Sequence, residues 1–271
     1  LPGLKPNGVP RGLLGTALPF EYNNIEQLED IIKNNVGEIA AIKMEVSRNE
    51  VPKKGYLEKV RDLADENNII LIFDECTSGF RENLGGLQMK LGINPDVLIL
   101  GKALGNGYAI TAIIGKREIM ENAEKSFISS TFWTERIGPT AALETLKVMK
   151  DIKSWKTITS LGKYIQSQWM KLAKKHGVEI DITGIPALSR LIFRSKNNEK
   201  YKTFITQEML KNKILATNTV YSCTEHNYKI IDQYIFYLDK IFAKIAECED
   251  GRDIDELLKT ELASKSFQRL N

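Results

Sequence analysis

The chain has 271 residues, 42% of them apolar, and its 38 Lys and Arg nearly balance 35 Asp and Glu for a net charge of +3. That is enough to bury a substantial core, and the lysines are scattered through helical segments instead of forming the basic stripe that nucleic-acid binding needs. No apolar run approaches a bilayer span, no signal peptide is read, and Cys76, Cys223 and Cys248 lack metal-type spacing, so the expectation is free thiols, no membrane and a cytoplasmic, reducing location.

Leu1 to Phe20, dense in Gly and Pro, reads as irregular surface loop. Asn24 is placed to cap a helix running through Lys33, with Ile25, Leu28, Ile31 and Ile32 on one face. A strand is predicted over Ile39–Val46, and a second amphipathic helix over Gly55–Asn67 with Leu57, Val60, Leu63 and Ala64 inward. The short apolar runs Ile69–Phe73 and Asp96–Leu100 read as strands covered on both faces. Ala109–Gly115 is read as a third core strand of this region. This helix-and-strand rhythm predicts an α/β fold over residues 1–150, a mostly parallel sheet with crossover helices. An apolar helix follows over Ala141–Met149, and a long one over Asp151–His176 with Ile158, Leu161, Ile165, Trp169 and Leu172 inward, stopped by Gly177. Residues 151–271 read as that linking helix and a smaller C-terminal α+β domain. Its elements are a strand near Ser189–Arg194 and helices over Thr203–Lys213 and Tyr228–Glu247, with a polar, charged tail over 249–271.

Two of the apolar runs stop abruptly at a charge, the first at Asp74-Glu75 and the second at Gly101-Lys102. A carboxylate and an amine at the carboxyl ends of such strands lie where open α/β sheets bind ligands. Gly101, Gly105 and Gly107 leave room for close approach to the backbone. An amine to hold an aldehyde as an imine, and an acid to keep a pyridine nitrogen protonated, are the two groups pyridoxal phosphate (PLP) requires. Taken singly, Asp74 is as readily a helix cap or a solvated loop residue, and Lys102 a surface charge. His176 and His226, the only histidines, have no nucleophile elbow nearby, and Gly101-Lys102 lacks the Gly-rich cradle of a nucleotide phosphate loop.

The setting of the pair decides between these readings. Phe73-Asp-Glu-Cys-Thr-Ser-Gly-Phe-Arg81, then Gly86-Leu-Gln88, then Pro95-Asp-Val-Leu-Ile-Leu-Gly-Lys-Ala-Leu-Gly-Asn-Gly107 resembles the class III aminotransferases. These are fold-type-I PLP enzymes that include glutamate-1-semialdehyde aminomutase, and the likeness runs from about Gly8 to about Ile245. It implies that Lys102 holds PLP as an imine and shuttles a proton, that Asp74 tunes the ring, and that Cys76 packs under the ring where many relatives carry an aliphatic residue. It further implies that Thr131, with Ser130 beside it, reaches the cofactor phosphate of a partner subunit in a homodimer; without the resemblance, a hydroxyl there is simply a helix cap. Glu45 fits the family's strand-ending Glu, although Val46 replaces the usual Pro, and Glu50 is read as a solvated loop carboxylate. Glu75 is expected to orient its neighbours, Ser78 and Arg81 to shape the turn, and Asn106 to take a left-handed backbone. The implied reaction is transfer of an amino group from a small-molecule donor to a carbonyl acceptor. One alternative is an aminomutase, which returns the group to a neighbouring carbon; another is an inactive remnant or regulatory module of the same fold. The chain starts at Leu1, and the family's phosphate-gripping turn and stacking aromatic are expected ahead of that point, either in a longer protein or on a related chain.

Overall fold

The Asn24 side chain accepts from the Gln27 amide at 3.1 Å and starts α1 (Ile25–Asn34), which buries Leu28 and Ile32. In this computed structural model residues 5–130, 133 and 135–262 are described, and they fall into two units that divide between Lys153 and Ser154.

In the first unit, α1 is followed by β1 (Ala41–Glu45), α2 (Tyr56–Glu66), β2 (Ile70–Asp74), α3 (Gln88–Leu91), β3 (Val97–Leu100), β4 (Ala112–Gly115), α4 (Arg117–Met120) and α5 (Ile137–Ile152). The sheet order is β1-β2-β3-β4, with the first three strands parallel and β4 antiparallel to β3. The register sets Met44 beside Phe73 and Phe73 beside Leu98, so one face collects Ile42, Met44, Leu71, Phe73, Leu98 and Leu100, all buried. Helix α2 turns Leu57, Val60 and Ala64 into the same core. The opposite face carries Lys43, Ile70, Ile72, Asp74, Val97 and Ile99, and of these six Val97 alone is buried. Burial therefore alternates along β2, contrary to the expectation of strands covered on both faces. Isoleucine and leucine on both sides of the run erase the sequence alternation that would have revealed this. The third strand also differs from its expectation. It is a short edge strand, not a core one, with Ile113 57% and Ile114 52% exposed. α5 continues to Ile152, and Lys153 at φ 51° ends it, so the long helix predicted from Asp151 begins at Ser154 instead.

The second unit comprises α6 (Ser154–His176), β5 (Ile180–Thr183), β6 (Leu188–Phe193), α7 (Asn198–Lys211), β7 (Thr219–Tyr221) and α8 (Tyr228–Glu249). Its strands form an antiparallel sheet in the order β5-β6-β7. Trp169, Tyr201, Phe204, Leu238 and Phe242 are its fully buried centre. The Trp169 indole donates to the Tyr234 hydroxyl at 3.1 Å, and Asp239 on α8 takes both Lys175 (2.6 Å) and His176 (2.6 Å) at the end of α6. Gly177, at φ 70°, ends α6 as expected. The predicted charged tail is ordered over its first part: Ile254 is buried, Asp255 pairs with Lys200 at 2.6 Å, and the Lys259 amide donates to Gln207 at 2.7 Å. Residues 263–271 lie outside the described part of the chain.

Candidate active site

Parallel pairing places Asp74 beside Ile99, so β2 and β3 end at one edge of the sheet. The Glu75 amide donates to the Ile99 carbonyl at 2.8 Å and carries the ladder one residue further. Beyond it the chain turns around the Glu75 side chain. Glu75 is fully buried and accepts from Ser78 Oγ at 2.9 Å, from the Gln88 amide at 2.8 Å and from the Leu87 amide. Burial raises the Glu75 pKa above the usual carboxylate range, and these three donors act against that rise. Glu75 thus shapes the loop from residue 75 to residue 88, with Ser78 as one of its partners and Arg81 bonded back to the Ser78 carbonyl at 3.3 Å.

The turn after β3 depends on Gly101. A Cβ there would sit 3.1 Å from Thr111 Cγ2 and 3.2 Å from Cys76 Sγ, tighter than ordinary packing, so glycine lets the two turns approach each other. Lys102 itself has φ 45° and Asn106 φ 46°, a left-handed backbone at both. The Lys102 ammonium donates to Thr77 Oγ1 at 3.2 Å, and Thr77 is buried. The Thr77 hydroxyl also lies 3.5 Å from Arg48 Nη1, and Arg48 pairs with Glu45 at 2.9 Å.

Asp74 accepts from the Cys76 amide at 3.2 Å through Oδ1 and from the Lys43 ammonium at 2.8 Å through Oδ2. Burial pushes the Asp74 pKa up, but the Lys43 and Cys76 hydrogen bonds and the Lys43 charge bring it below the usual carboxylate range. Cys76 bonds to Asp74 through its amide and sets its Sγ against Gly101, the residue before Lys102. Burial and the Asp74 carboxylate raise its thiol pKa, while the ammonium groups of Lys102 and Lys43 act in the opposite sense. Asp74, Cys76 and Lys102 are therefore gathered at one strand edge. Lys43, Arg48 and Thr77 join them, and sequence reasoning missed all three. The available signal was Lys43, an ammonium in the middle of a strand that is otherwise apolar up to its final residue, Glu45.

Other candidates lie apart from this cluster or outside the described residues. Glu50 accepts from Asn23 at 3.0 Å in an exposed loop, in keeping with its reading as a solvated carboxylate. Ser130 is exposed and its carbonyl accepts from the Trp133 amide at 3.2 Å; Thr131 lies outside the described residues. Among the described residues no group of His, Cys, Asp or Glu side chains is placed to hold a metal ion, and no helix is long and apolar enough to cross a membrane.

Residues 17–239 match the sequence profile of the family described as Aminotransferase class-III. The chain belongs to the class III aminotransferase family. This class III chain is 35% identical over 207 residues to the 3-aminobutyryl-CoA aminotransferase of Cloacimonas acidaminovorans, which covers 74% of this chain and 50% of that protein. It is 29% identical over 257 residues to the glutamate-1-semialdehyde 2,1-aminomutase of Methanocaldococcus jannaschii, covering 87% of this chain and 60% of that one. Among solved structures it superimposes on a transaminase with PLP bound at a TM-score of 0.80 and 18% identity, over 90% of this chain and 61% of the other. The fold is accordingly that of the type I PLP transaminases. The chain spans 50% and 60% of the lengths of these two curated relatives.

Proposed function

We propose that this chain carries the lysine and the ring carboxylate of a PLP-dependent aminotransferase, with Lys102 and Asp74 in those roles. The observation that carries the reading is the common strand edge, where Asp74 bonds to the Cys76 amide and Lys102 to the adjacent Thr77. The residues present fit the cofactor: an amine for its aldehyde, a carboxylate held anionic for its pyridine nitrogen, and the side-chain-free surface of Gly101 against Cys76. When bound, PLP supplies an electron sink for charge that develops at the substrate carbon.

The chain's own groups then have separate tasks. Lys102 Nζ would hold the cofactor aldehyde, and its amine would move a proton at the substrate carbon. Asp74, anionic at neutral pH, would hold a proton on the ring nitrogen. Cys76, whose raised pKa keeps it a neutral thiol, offers a small, soft surface for the ring. Thr77 gives the Lys102 ammonium a fixed acceptor. A cytoplasmic place is proposed from the sparse, free thiols Cys76, Cys223 and Cys248. Thr131 with Ser130 is assigned to the phosphate of a partner subunit's cofactor, which makes a homodimer the active form. The support for these last assignments is the family membership.

The substrates are a small-molecule amino donor and a carbonyl acceptor. The aminomutase reading stands second, favoured by the Methanocaldococcus relative. Titrating the chain with PLP is expected to produce a visible absorbance band that Lys102→Ala abolishes. An unchanged band and unchanged activity in that variant would overturn the mechanism, and the absence of any band in the native chain would favour the inactive-module alternative. Amination of an added keto acid separates aminotransferase from aminomutase, since only the former passes the amino group to a second molecule.

A further inference from the structure

Lys43 is the one charged residue in the middle of β1, flanked by Ile42 and Met44, which point into the core on the other face. Parallel pairing sets it beside Ile72, one pleat before Asp74 on the same face, and from there its ammonium reaches Asp74 Oδ2 at 2.8 Å. The remaining Asp74 oxygen takes the Cys76 amide at 3.2 Å, so the carboxylate is held from two directions. Each carboxylate oxygen has a second lone pair to offer after accepting one hydrogen bond. As a contribution to stability the pair is weak, because Lys43 is largely exposed and such ion pairs give about 0–1 kcal/mol. Its placement on the proposed ring carboxylate is the more telling feature.

We propose that Lys43 is a positioning residue for Asp74, holding the carboxylate in one orientation so that its free lone pair faces the cofactor's ring nitrogen. The inference rests on the reading of Asp74 given above. The charged and titratable groups facing Asp74 are Lys43 from β1 and Cys76 from the turn after β2, with Lys102 acting on that same thiol from the turn after β3. Lys43 is thus the cation bonded to the carboxylate itself.

The test follows the Asp74 carboxyl by carbon NMR titration in the full chain without cofactor, then PLP binding by absorbance, in wild type, Lys43→Met, Lys43→Gln, Lys43→Arg and Asp74→Asn. Removing the charge is expected to raise the Asp74 midpoint, because the carboxylate loses its bonded cation, and to weaken PLP binding severalfold through the lost orientation of the carboxylate. Lys43→Arg should restore both, and the thermal midpoint should stay at the wild-type value throughout the Lys43 series. Lys43→Gln serves should the methionine variant not fold. An Asp74 midpoint unmoved in both neutral variants overturns the inference. So does unchanged PLP binding in them when Asp74→Asn weakens it, and the reading of Asp74 then survives. Wild-type PLP binding by Asp74→Asn overturns that reading and the inference with it.

Discussion

Asp74 and Glu75 are adjacent in sequence and opposite in circumstance. The first is half-buried and paired with a cation, whereas the second is fully buried and satisfied by Ser78 and by the Leu87 and Gln88 amides. A glutamine at position 75 has one oxygen for these donors and turns an NH2 group toward a backbone N–H. Glu75→Gln is therefore expected to cost about 3 kcal/mol in a urea denaturation series, from the buried donors left without an acceptor. The pH dependence has a definite sign. Burial raises the Glu75 pKa in the folded state, so the folded chain binds that proton more tightly than the unfolded one. The stabilisation this gives is complete below the ordinary glutamate range and is lost as pH rises through the raised value. Stability measured against pH should show that decline in wild type and not in Glu75→Gln, whereas parallel curves would show that Glu75 titrates alike in both states.

Asp96 has the reverse sign, because it joins several elements through charge. Its carboxylate takes the Leu71 amide of β2 at 2.7 Å, Arg61 of α2 at 3.0 Å and Lys116, just past β4, at 2.7 Å, while its own backbone bonds to Leu71 and Lys116. Burial raises its pKa, but these partners together hold it below the ordinary range. The folded state is thus the weaker proton binder; its stabilisation is present above the ordinary aspartate range and is lost as pH falls through the lowered value. Asp96→Asn should cost about 3 kcal/mol by breaking a buried pair, and its stability should fall less steeply with acid than that of wild type in denaturant titrations. Helix α6 depends on shape instead. A Cβ on Gly162 would lie 1.9 Å from the Pro186 carbonyl oxygen, a backbone atom that no rotamer change can remove. Gly162→Ala is expected to lose about 2–3 kcal/mol from overpacking, read as a lowered thermal midpoint. Much of this element structure was legible beforehand: the Asn24 cap, the inward faces of α1, α2 and α6, the Gly177 stop, and the end of β2 at Asp74, while β3 ends at Leu100, two residues before Lys102. What was not legible depended on register. Lys43 and Asp74 meet only because β1 and β2 pair in parallel with Glu45 beside Asp74, and nothing local to either residue encodes that. The half-buried state of the second sheet face was hidden by apolar residues on both sides of β2. The packing of residues 250–259 rests on Ile254, which is buried, with Leu257 and Leu258 packed against the same core, few apolar side chains within a polar run.

For the whole molecule the division after Lys153 has a thermodynamic consequence. The apolar cluster around Trp169, Phe204 and Phe242 is built from residues of the second unit, while Leu71, Phe73, Val60 and Ala64 close the core of the first. Chains with separate cores commonly depart from a single two-state transition, and substitutions far apart with no shared partner act additively. Trp169 is wholly buried and bonded to Tyr234, so its fluorescence reports the second core. Replacing Trp133 and Trp155 with Phe leaves it the sole indole in the chain. In that background Gly162→Ala is expected to lower the Trp169 unfolding midpoint by about 4 °C or more. Asp96→Asn should leave that midpoint in place and lower a second calorimetric transition, one to which the fluorescence is blind. If each substitution shifts both transitions by the same amount, the chain unfolds as one cooperative body and the Asp96 network stabilises the second core as much as the first.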